Sequence, residues 1–240
     1  MLRPSGDHGL SGWSRLWETA LTAAMKIRTI TVEREYGSGG AAIAERLANR
    51  LGWKLWDRDL TAEIARVAKV TREAVHRCDE RVDPLLSRLF SVYARGSYER
   101  TLPVGDTRHF NADTMVAMLH KVIEEAASKG NCVIVGRGSP YILRNRPDAF
   151  HVFVYAPDEE KLLRLRNIGQ SEKEARQLIE EVDRERASFI RHYFHKEWPY
   201  RPLYNVMVNS RFGDDYVVGT ILREIAALEA VRQSQDAKAS

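Results

Sequence analysis

Hydrophobic and polar positions repeat along the chain with two distinct periods from residue 27 onward. Ile27–Glu33 is a β-branched run and predicts a strand, whereas Ile43, Leu47 and Leu51 recur at the spacing of one helix face. Further strands are predicted at 53–57, 132–135, 150–155 and 204–208. Helices are predicted at 60–69, 72–80, 84–95, 112–129, 157–167, from Ser171 onward, and at 214–228. This alternation predicts an α/β fold in which helices cover both faces of a mostly parallel sheet.

Local end signals support several of these helices. Gly52 follows the first helix and Gly130 follows the helix over 112–129, as expected of glycines that end helices. Ser171 and Glu174 have the spacing of a capping box at the start of a long helix. These signals place helix ends independently of the hydrophobic pattern.

Both ends of the chain differ from the pattern between them. Residues 1–24 contain scattered glycines and no continuous apolar segment, so we expect a disordered tail rather than a signal peptide. The pattern changes abruptly at Met25, which we interpret as the natural start or close to it, with Met1 as the alternative. Residues 233–240 are expected to form a frayed C-terminal tail. The domain is therefore predicted to span 25–232.

A glycine-rich turn joins the first strand to the first helix. The turn reads Arg-Glu-Tyr-Gly-Ser-Gly-Gly over 34–40. Glycines let backbone N–H groups converge on an anion, and the helix N-terminus adds a partial positive charge. Taken alone, the turn is equally compatible with a phosphate-binding loop and with an ordinary tight connection in a doubly wound fold.

Four segments occur together in the order found in one known family. They are the strand, loop, helix and second strand over 30–57, the strand and Gly-Arg-Gly turn over 133–138, the strand and charged helix start over 153–164, and Asp-Arg-Glu-Arg over 183–186. On these segments the chain resembles the cytidylate kinase-like family of P-loop nucleoside monophosphate kinases, from Ile30 to about Ile225. The resemblance implies a three-layer α/β P-loop NTPase fold with a parallel sheet of about five strands in the order 2-3-1-4-5. It also implies a helical acceptor-binding arm over 58–110 and a lid over 157–200.

The loop departs from the usual Walker A pattern at three positions. Arg34 stands at the first glycine, Gly40 at the lysine, and Ala41 at the serine or threonine. Phosphate binding by backbone N–H groups is retained, whereas the usual cation and the usual Mg²⁺-binding hydroxyl are missing. The resemblance implies ATP and Mg²⁺ as cofactors, with ATP phosphates bound by Tyr36, Gly37, Ser38, Gly39, Gly40, Ala41 and Arg164.

Arginines near these motifs are candidates for residues that stabilise the negative charge on the phosphoryl oxygens during phosphoryl transfer. Arg34 is predicted to face the nucleotide while Glu33 and Glu35 face away, and the alternative is an ion pair with either glutamate. Arg137 lies between two glycines at a strand end, and its alternative is a structural ion pair. Together with Arg186, these two arginines form the predicted catalytic set.

A second set of residues is implied for the acceptor. The alternative role for Asp183 and Arg186 is a surface ion pair on one helix face, and the alternative for Arg164 is a solvated charge beside Lys161 and Arg166. No metal ligand is predicted. The acceptor-binding set comprises Asp57, Arg137, Asp183 and Arg186. A nearby aromatic cluster has near-helical spacing, which favours packing over nucleic-acid binding, and comprises Phe189, Tyr193, Phe194, Trp198 and Tyr200.

Composition narrows the function without deciding it. The 240 residues carry 37 basic and 33 acidic side chains, a net charge of +4 that suits a small phosphate-bearing ligand and does not require nucleic acid. No apolar run is long enough for a membrane helix, and two cysteines fit a reducing compartment, so we expect a cytoplasmic protein without a membrane partner. The resemblance implies ATP-dependent phosphoryl transfer to a nucleoside monophosphate, with CMP or dCMP favoured. The alternatives are a catalytically degenerate nucleotide-binding regulator or scaffold, and a kinase for a non-nucleotide acceptor.

Overall fold

Five parallel strands form one sheet in the computed structural model of the protein, which describes residues 26–57, 63 and 112–239. The strands are β1 (Thr29–Arg34), β2 (Lys54–Trp56), β3 (Cys132–Val135), β4 (Ala149–Tyr155) and β5 (Val206–Asn209). Their spatial order is β2-β3-β1-β4-β5, which confirms the predicted topology. The central strand β1 pairs in parallel with β3 and β4. Its carboxyl end therefore lies at the middle of the sheet edge where such folds bind ligands.

The described residues form six α-helices, five of which pack on this sheet. The six helices are α1 (Gly40–Leu51), α2 (Ala112–Lys129), α3 (Ser139–Ile142), α4 (Asp158–Asn167), α5 (Glu172–Phe194) and α6 (Asp214–Ala239). Short 3₁₀ turns occur at Arg201–Leu203 and Ser210–Phe212. None of the helices described is both long and apolar enough to cross a membrane.

Two apolar cores give the three-layer arrangement. On one face of the sheet, α1 and α6 pack on the strands, burying residues such as Ile43 and Ile221. On the other face, α2, α3 and α5 pack on the strands, burying residues such as Ile123 and Ile190. Each buried aliphatic side chain contributes about 1.5–3 kcal/mol. The layers predicted from alternating strands and helices are therefore confirmed.

The predicted aromatic cluster packs against the second of these cores. Phe189 lies 5.1 Å from Tyr193 and 5.8 Å from Phe194, measured between ring centroids. Trp198 meets the edge of Phe153 at 5.6 Å, and Tyr200 packs against the same core. The cluster thus extends the hydrophobic core at the end of α5.

Helix ends follow the predicted signals in the middle of the chain. Gly52 adopts a left-handed conformation with φ of 65° and ends α1. The hydroxyl of Ser171 accepts the Glu174 N–H while the Glu174 carboxylate accepts the Ser171 N–H, which confirms the capping box of α5. Lys129 is the last residue of α2, immediately before Gly130.

Several predicted boundaries are corrected. β5 begins at Val206 rather than Tyr204, because a 3₁₀ turn precedes it and Tyr204 packs its ring on Phe153 at 5.1 Å. The last helix continues to Ala239, so the expected end at residue 228 and the frayed tail from residue 233 are wrong. Residues 229–239 are mostly strong helix formers, and the buried Glu229 carboxylate accepts the Ile27 N–H at 2.7 Å. The predicted tail over 1–24 lies outside the described residues, as does the arm over 58–110 apart from Glu63.

Candidate active site

The glycine turn after β1 forms a loop with unused backbone donors at the start of α1. Gly37 and Gly39 have φ of 76° and 78°, a conformation that favours glycine. In the described structure the first hydrogen bond of α1 runs from the Ile43 N–H to the Gly39 carbonyl at 3.0 Å. The helix therefore leaves the N–H groups of Gly40 and Ala41 free of intrahelical bonds, as at other helix N-termini that bind anions.

Other groups of the loop are used to hold its shape. The Ser38 hydroxyl and N–H both donate to the Glu35 carbonyl, at 2.8 and 3.3 Å. The Ser38 carbonyl accepts the Ser210 hydroxyl at 2.6 Å, which ties the loop to the segment after β5. The Tyr36 N–H donates to the Asp183 carboxylate at 2.8 Å. Tyr36 and Ser38, predicted as phosphate-binding residues, thus have these groups engaged within the protein.

Three of the predicted arginines converge on this loop. Arg34, Arg164 and Arg186 line one open cleft of about 320 Å³ together with the glycines of the loop. They come from β1, α4 and α5, and the chain positions they occupy are far apart. The cleft therefore combines backbone donors with three guanidinium groups, which is the composition of a polyphosphate site.

Arg34 and Gly40 fit together sterically. The Arg34 side chain is buried, and a Cβ at residue 40 would lie 2.5 Å from the Arg34 Cβ and 2.8 Å from its Cγ. The arginine stem therefore occupies the space that a side chain at the Walker lysine position would need. Arg34 lines the cleft and also lies 3.7 Å from the Glu33 carboxylate, so the alternative ion pair occurs, and the predicted contact of Arg34 with a nucleotide stays a prediction.

The two glutamates beside Arg34 behave differently from each other. Glu33 is fully buried, and this burial raises the pKa of its carboxyl, although Arg34 and Arg186 oppose the shift. Glu35 was predicted to face away from the nucleotide, but it lines the cleft. Its carboxylate is neutralised by the Lys161 ammonium at 2.7 Å. The acidic charge at the cleft is therefore compensated within the protein.

Asp183 and Arg186 hold the loop rather than lying on the surface. Arg186 is 1% exposed, and its Nη1 donates to the Arg34 carbonyl at 2.8 Å and to Asp183 at 3.1 Å. Because Asp183 also accepts the Tyr36 N–H, the pair binds the backbone on both sides of Glu35. Burial raises the pKa of Asp183, and Arg186 opposes that shift. Nε and Nη2 of Arg186 are buried and have no hydrogen-bond partner among the described residues, and the residue lines the cleft.

Arg137 and Asp57 join the ends of two neighbouring strands. Arg137 has φ of 58° between two glycines that also have positive φ. Its Nη1 donates to the Asp57 carbonyl at 2.9 Å and lies 3.9 Å from the Asp57 carboxylate. Neither residue lines the cleft of the three arginines. The pair therefore links β2 to β3, and its predicted role in acceptor binding stays a prediction.

Comparisons with known proteins agree with the fold described above and with the family resemblance of the sequence. The sequence model of the cytidylate kinase-like family matches residues 29–211. The chain belongs to that family. An uncharacterised protein from Eubacterium ventriosum has a similar solved structure, with 20% identity, 83% of this chain and 98% of that chain covered, and a TM-score of 0.60. No curated protein matches the chain.

Two further solved structures have lower TM-scores against this chain. A gluconokinase from Sinorhizobium meliloti is 15% identical, with 88% of this chain and 98% of that chain covered and a TM-score of 0.49. Shikimate kinase from Acinetobacter baumannii, in complex with shikimate, is 17% identical, with 86% and 97% covered and a TM-score of 0.48. The family assignment therefore rests on the match to the cytidylate kinase-like sequences.

Sequence reasoning missed three residues that complete the site of this family member. Lys161, taken as one of several solvated charges, is buried and packs its Cβ against Gly37. Ser210 and Asp214 follow β5 and contact the loop and Arg164. Lys161 and Arg164 lie three residues apart on α4, so their shared helix face was a signal that could have found the lysine. Ser210 and Asp214 had no comparable signal.

The described residues do not fit the Mg²⁺ site of a Walker A loop. Ala41 has no hydroxyl, and the nearby Ser38 hydroxyl donates to the Glu35 carbonyl. No cluster of potential metal-ligating side chains occurs within the residues that the structure describes. A metal ion that accompanies ATP would therefore depend on the phosphates and on water for most of its ligands.

Proposed function

We propose that the protein transfers the γ-phosphoryl group of ATP to a nucleoside monophosphate, with CMP or dCMP as the favoured acceptor. The observation that carries this proposal is the convergence of Arg34, Arg164 and Arg186 on the glycine loop in one cleft. Phosphoryl transfer is catalysed mainly by positioning and by positive charge on the phosphoryl oxygens. Membership of the cytidylate kinase-like family supports the nucleotide acceptor.

Within this proposal the loop binds the donor phosphates. The N–H groups of Gly40 and Ala41 donate to the phosphates, and the positive φ of Gly37 and Gly39 gives the backbone the tight turn that leads into this helix start. Arg34 supplies the charge that the missing lysine would otherwise provide. Hydrogen bonds to charged groups typically contribute about 1.5–3 kcal/mol each.

Arg186 is proposed to connect donor and acceptor. Its Nη1 is bound to the Arg34 carbonyl, while Nε and Nη2 have no partner among the described residues. Both nitrogens are buried, so the proposed bidentate contact requires a phosphate to reach them from the cleft that Arg186 lines. Arg137, Asp57 and Asp183 complete the proposed acceptor side. We also propose a cytoplasmic location, where a chain with only two cysteines stays reduced.

A second candidate function follows from the loop itself. Gly40 and Ala41 replace the residues that usually contact the γ-phosphate and Mg²⁺. A protein with this loop can bind nucleotide through its backbone and arginines without transferring a phosphoryl group. The third candidate, a kinase for a non-nucleotide acceptor, uses the same donor site with a different acceptor.

A coupled assay with a panel of acceptors separates these candidates. ADP formation is measured with ATP, Mg²⁺ and either a common nucleoside monophosphate or a non-nucleotide hydroxyl compound as acceptor, and ATP binding is measured by calorimetry. Arg186→Ala is compared with Arg184→Ala, an exposed arginine of the same helix. We expect turnover with CMP or dCMP that is lost in the first variant and retained in the second. ATP binding without turnover of any acceptor would instead establish the non-enzymatic function.

A further inference from the structure

The Arg164 side chain lies directly on the phosphate-binding loop. A Cβ added at Gly39 would lie 2.5 Å from Nη1 of Arg164 and 2.9 Å from its Cζ. The guanidinium therefore rests in the space that the glycine leaves open. Arg164 belongs to α4, so this contact joins the lid to the loop.

One nitrogen of Arg164 is anchored on the far side of the cleft. Its Nη2 donates to the Asp214 carboxylate at 2.9 Å and lies 3.4 Å from the Ser210 carbonyl. Asp214 is the first residue of α6, and Ser210 also binds the Ser38 carbonyl. Three elements thus meet at the guanidinium: the loop, the lid helix and the start of the last helix.

We propose that Asp214 is a positioning residue that holds Arg164 over the loop in the orientation that binds a polyphosphate. This inference rests on the proposed function, because it assigns a role within the same donor site. Nη2 is used by the protein, whereas Nη1 lies against Gly39, the residue that immediately precedes the N–H groups of Gly40 and Ala41. Fixing a flexible arginine before the ligand arrives reduces the ordering cost of binding.

The charges around Asp214 favour this role. Its carboxylate is largely shielded from solvent and pairs with Arg164. A second arginine, Arg46 of α1, lies 3.7 Å from the other carboxylate oxygen and 3.0 Å from Asp215. Asp215 is 85% exposed and contacts Arg46 without touching Arg164. The two adjacent aspartates therefore lie in the same helix turn and both pair with Arg46, but of the two only Asp214 contacts Arg164.

These adjacent aspartates supply a matched experiment. Asp214→Asn, Asp214→Glu and Arg164→Ala are compared with Asp215→Asn, which removes the same charge one residue away. Affinities for ATP and for inorganic tripolyphosphate are measured by calorimetry, and the KM values for ATP and for the acceptor are measured separately. The double variant Asp214→Asn with Arg164→Ala completes a double-mutant cycle, which measures whether the two residues contribute to ATP affinity jointly or independently.

We expect Asp214→Asn to weaken ATP and tripolyphosphate binding by about 3- to 10-fold and to raise the KM for ATP alone. Asp214→Glu should retain more affinity, Asp215→Asn should be unchanged, and the double variant should be no weaker than Arg164→Ala. Additive losses, or equal losses in both asparagine variants, would overturn the assignment. Absence of tripolyphosphate binding by the unaltered protein would also overturn it. Binding without phosphoryl transfer would refute the proposed kinase activity and leave the Asp214 assignment supported by the same affinity differences.

Discussion

The steric fit between Arg34 and Gly40 predicts that Gly40→Ala changes the stability of the protein in a direction that depends on the residue at position 34. Gly40→Ala would place a Cβ 2.5 Å from the Arg34 Cβ, well inside van der Waals contact. Both atoms are attached directly to the backbone, so rotation of the arginine side chain does not relieve the overlap. Overpacking of this kind costs about 1–3 kcal/mol. For a domain of this size the melting temperature should fall by about 2–12 °C.

Truncation of Arg34 should relieve the overlap only when the Cβ is removed. In an Arg34→Ala background the 2.8 Å overlap with Cγ disappears, but the 2.5 Å overlap with Cβ remains. In an Arg34→Gly background both disappear, and alanine becomes the better helix former at residue 40 by up to about 1 kcal/mol. We therefore expect Gly40→Ala to destabilise the first two proteins and to be neutral or stabilising in the third.

This effect is measured on six variants of the protein, which carry arginine, alanine or glycine at residue 34, each combined with glycine or alanine at residue 40. Urea unfolding and thermal melts are recorded without nucleotide, so that stability is separated from binding. The cost of changing residue 34 cancels, because only the effect of residue 40 within each background is compared. Equal effects of Gly40→Ala in the alanine and glycine backgrounds would refute the steric argument.

Three further predictions concern buried charges and donors. Asp183→Asn should weaken ATP binding about tenfold, since it disturbs the acceptor of the Tyr36 N–H, and it should weaken acceptor binding as well, because Asp183 also pairs with Arg186 on the proposed acceptor side; calorimetry with each ligand measures the two losses separately. Lys161→Met should lower stability by about 1–3 kcal/mol in urea unfolding, because the Glu35 carboxylate loses its partner, and adding Glu35→Gln should recover part of the loss. Burial lowers the pKa of His151 to about 4, so its neutral form is favoured in the folded protein and stability should fall as the pH drops from about 6.5 to 4. The loss should approach about 3 kcal/mol and should be smaller in His151→Gln, as measured by urea unfolding across that pH range.

Much of the fold was predictable because its signals are local. The β-branched run before the loop, the repeat of Ile43 and Leu47, and the capping box at Ser171 each depend on residues within one or two turns. The sheet order came with the resemblance to a family rather than from the pattern of residues. The extent of the last helix was missed because its exposed end lacks an apolar repeat and is held in part by Glu229, which contacts the start of the first strand.

The candidate site was only partly predictable because its contacts join distant parts of the chain. The glycines of the loop and the arginines near it were identified, but the partners of these groups were not. The Tyr36 N–H finds Asp183 across 147 residues, and Ser210 reaches Ser38 across 172. Such pairs leave no periodic trace in the sequence. The buried state of Lys161 was missed for a different reason, since charge on a short helix normally indicates solvent exposure and the helix face shared with Arg164 was not used.

The interlocking of residues 34 and 40 constrains how this loop can change during evolution. A lysine at residue 40 meets the Arg34 Cβ and places a second cation beside the first, so it carries at least the overpacking cost of an alanine while the arginine remains. Reduction of residue 34 to glycine opens the space, but the resulting loop carries neither cation. Every route by single substitutions to the Walker lysine therefore passes through an overpacked loop or through one with weakened phosphate binding. The contact between residues 34 and 40 therefore disfavours exchange of the arginine form for the lysine form by single substitutions.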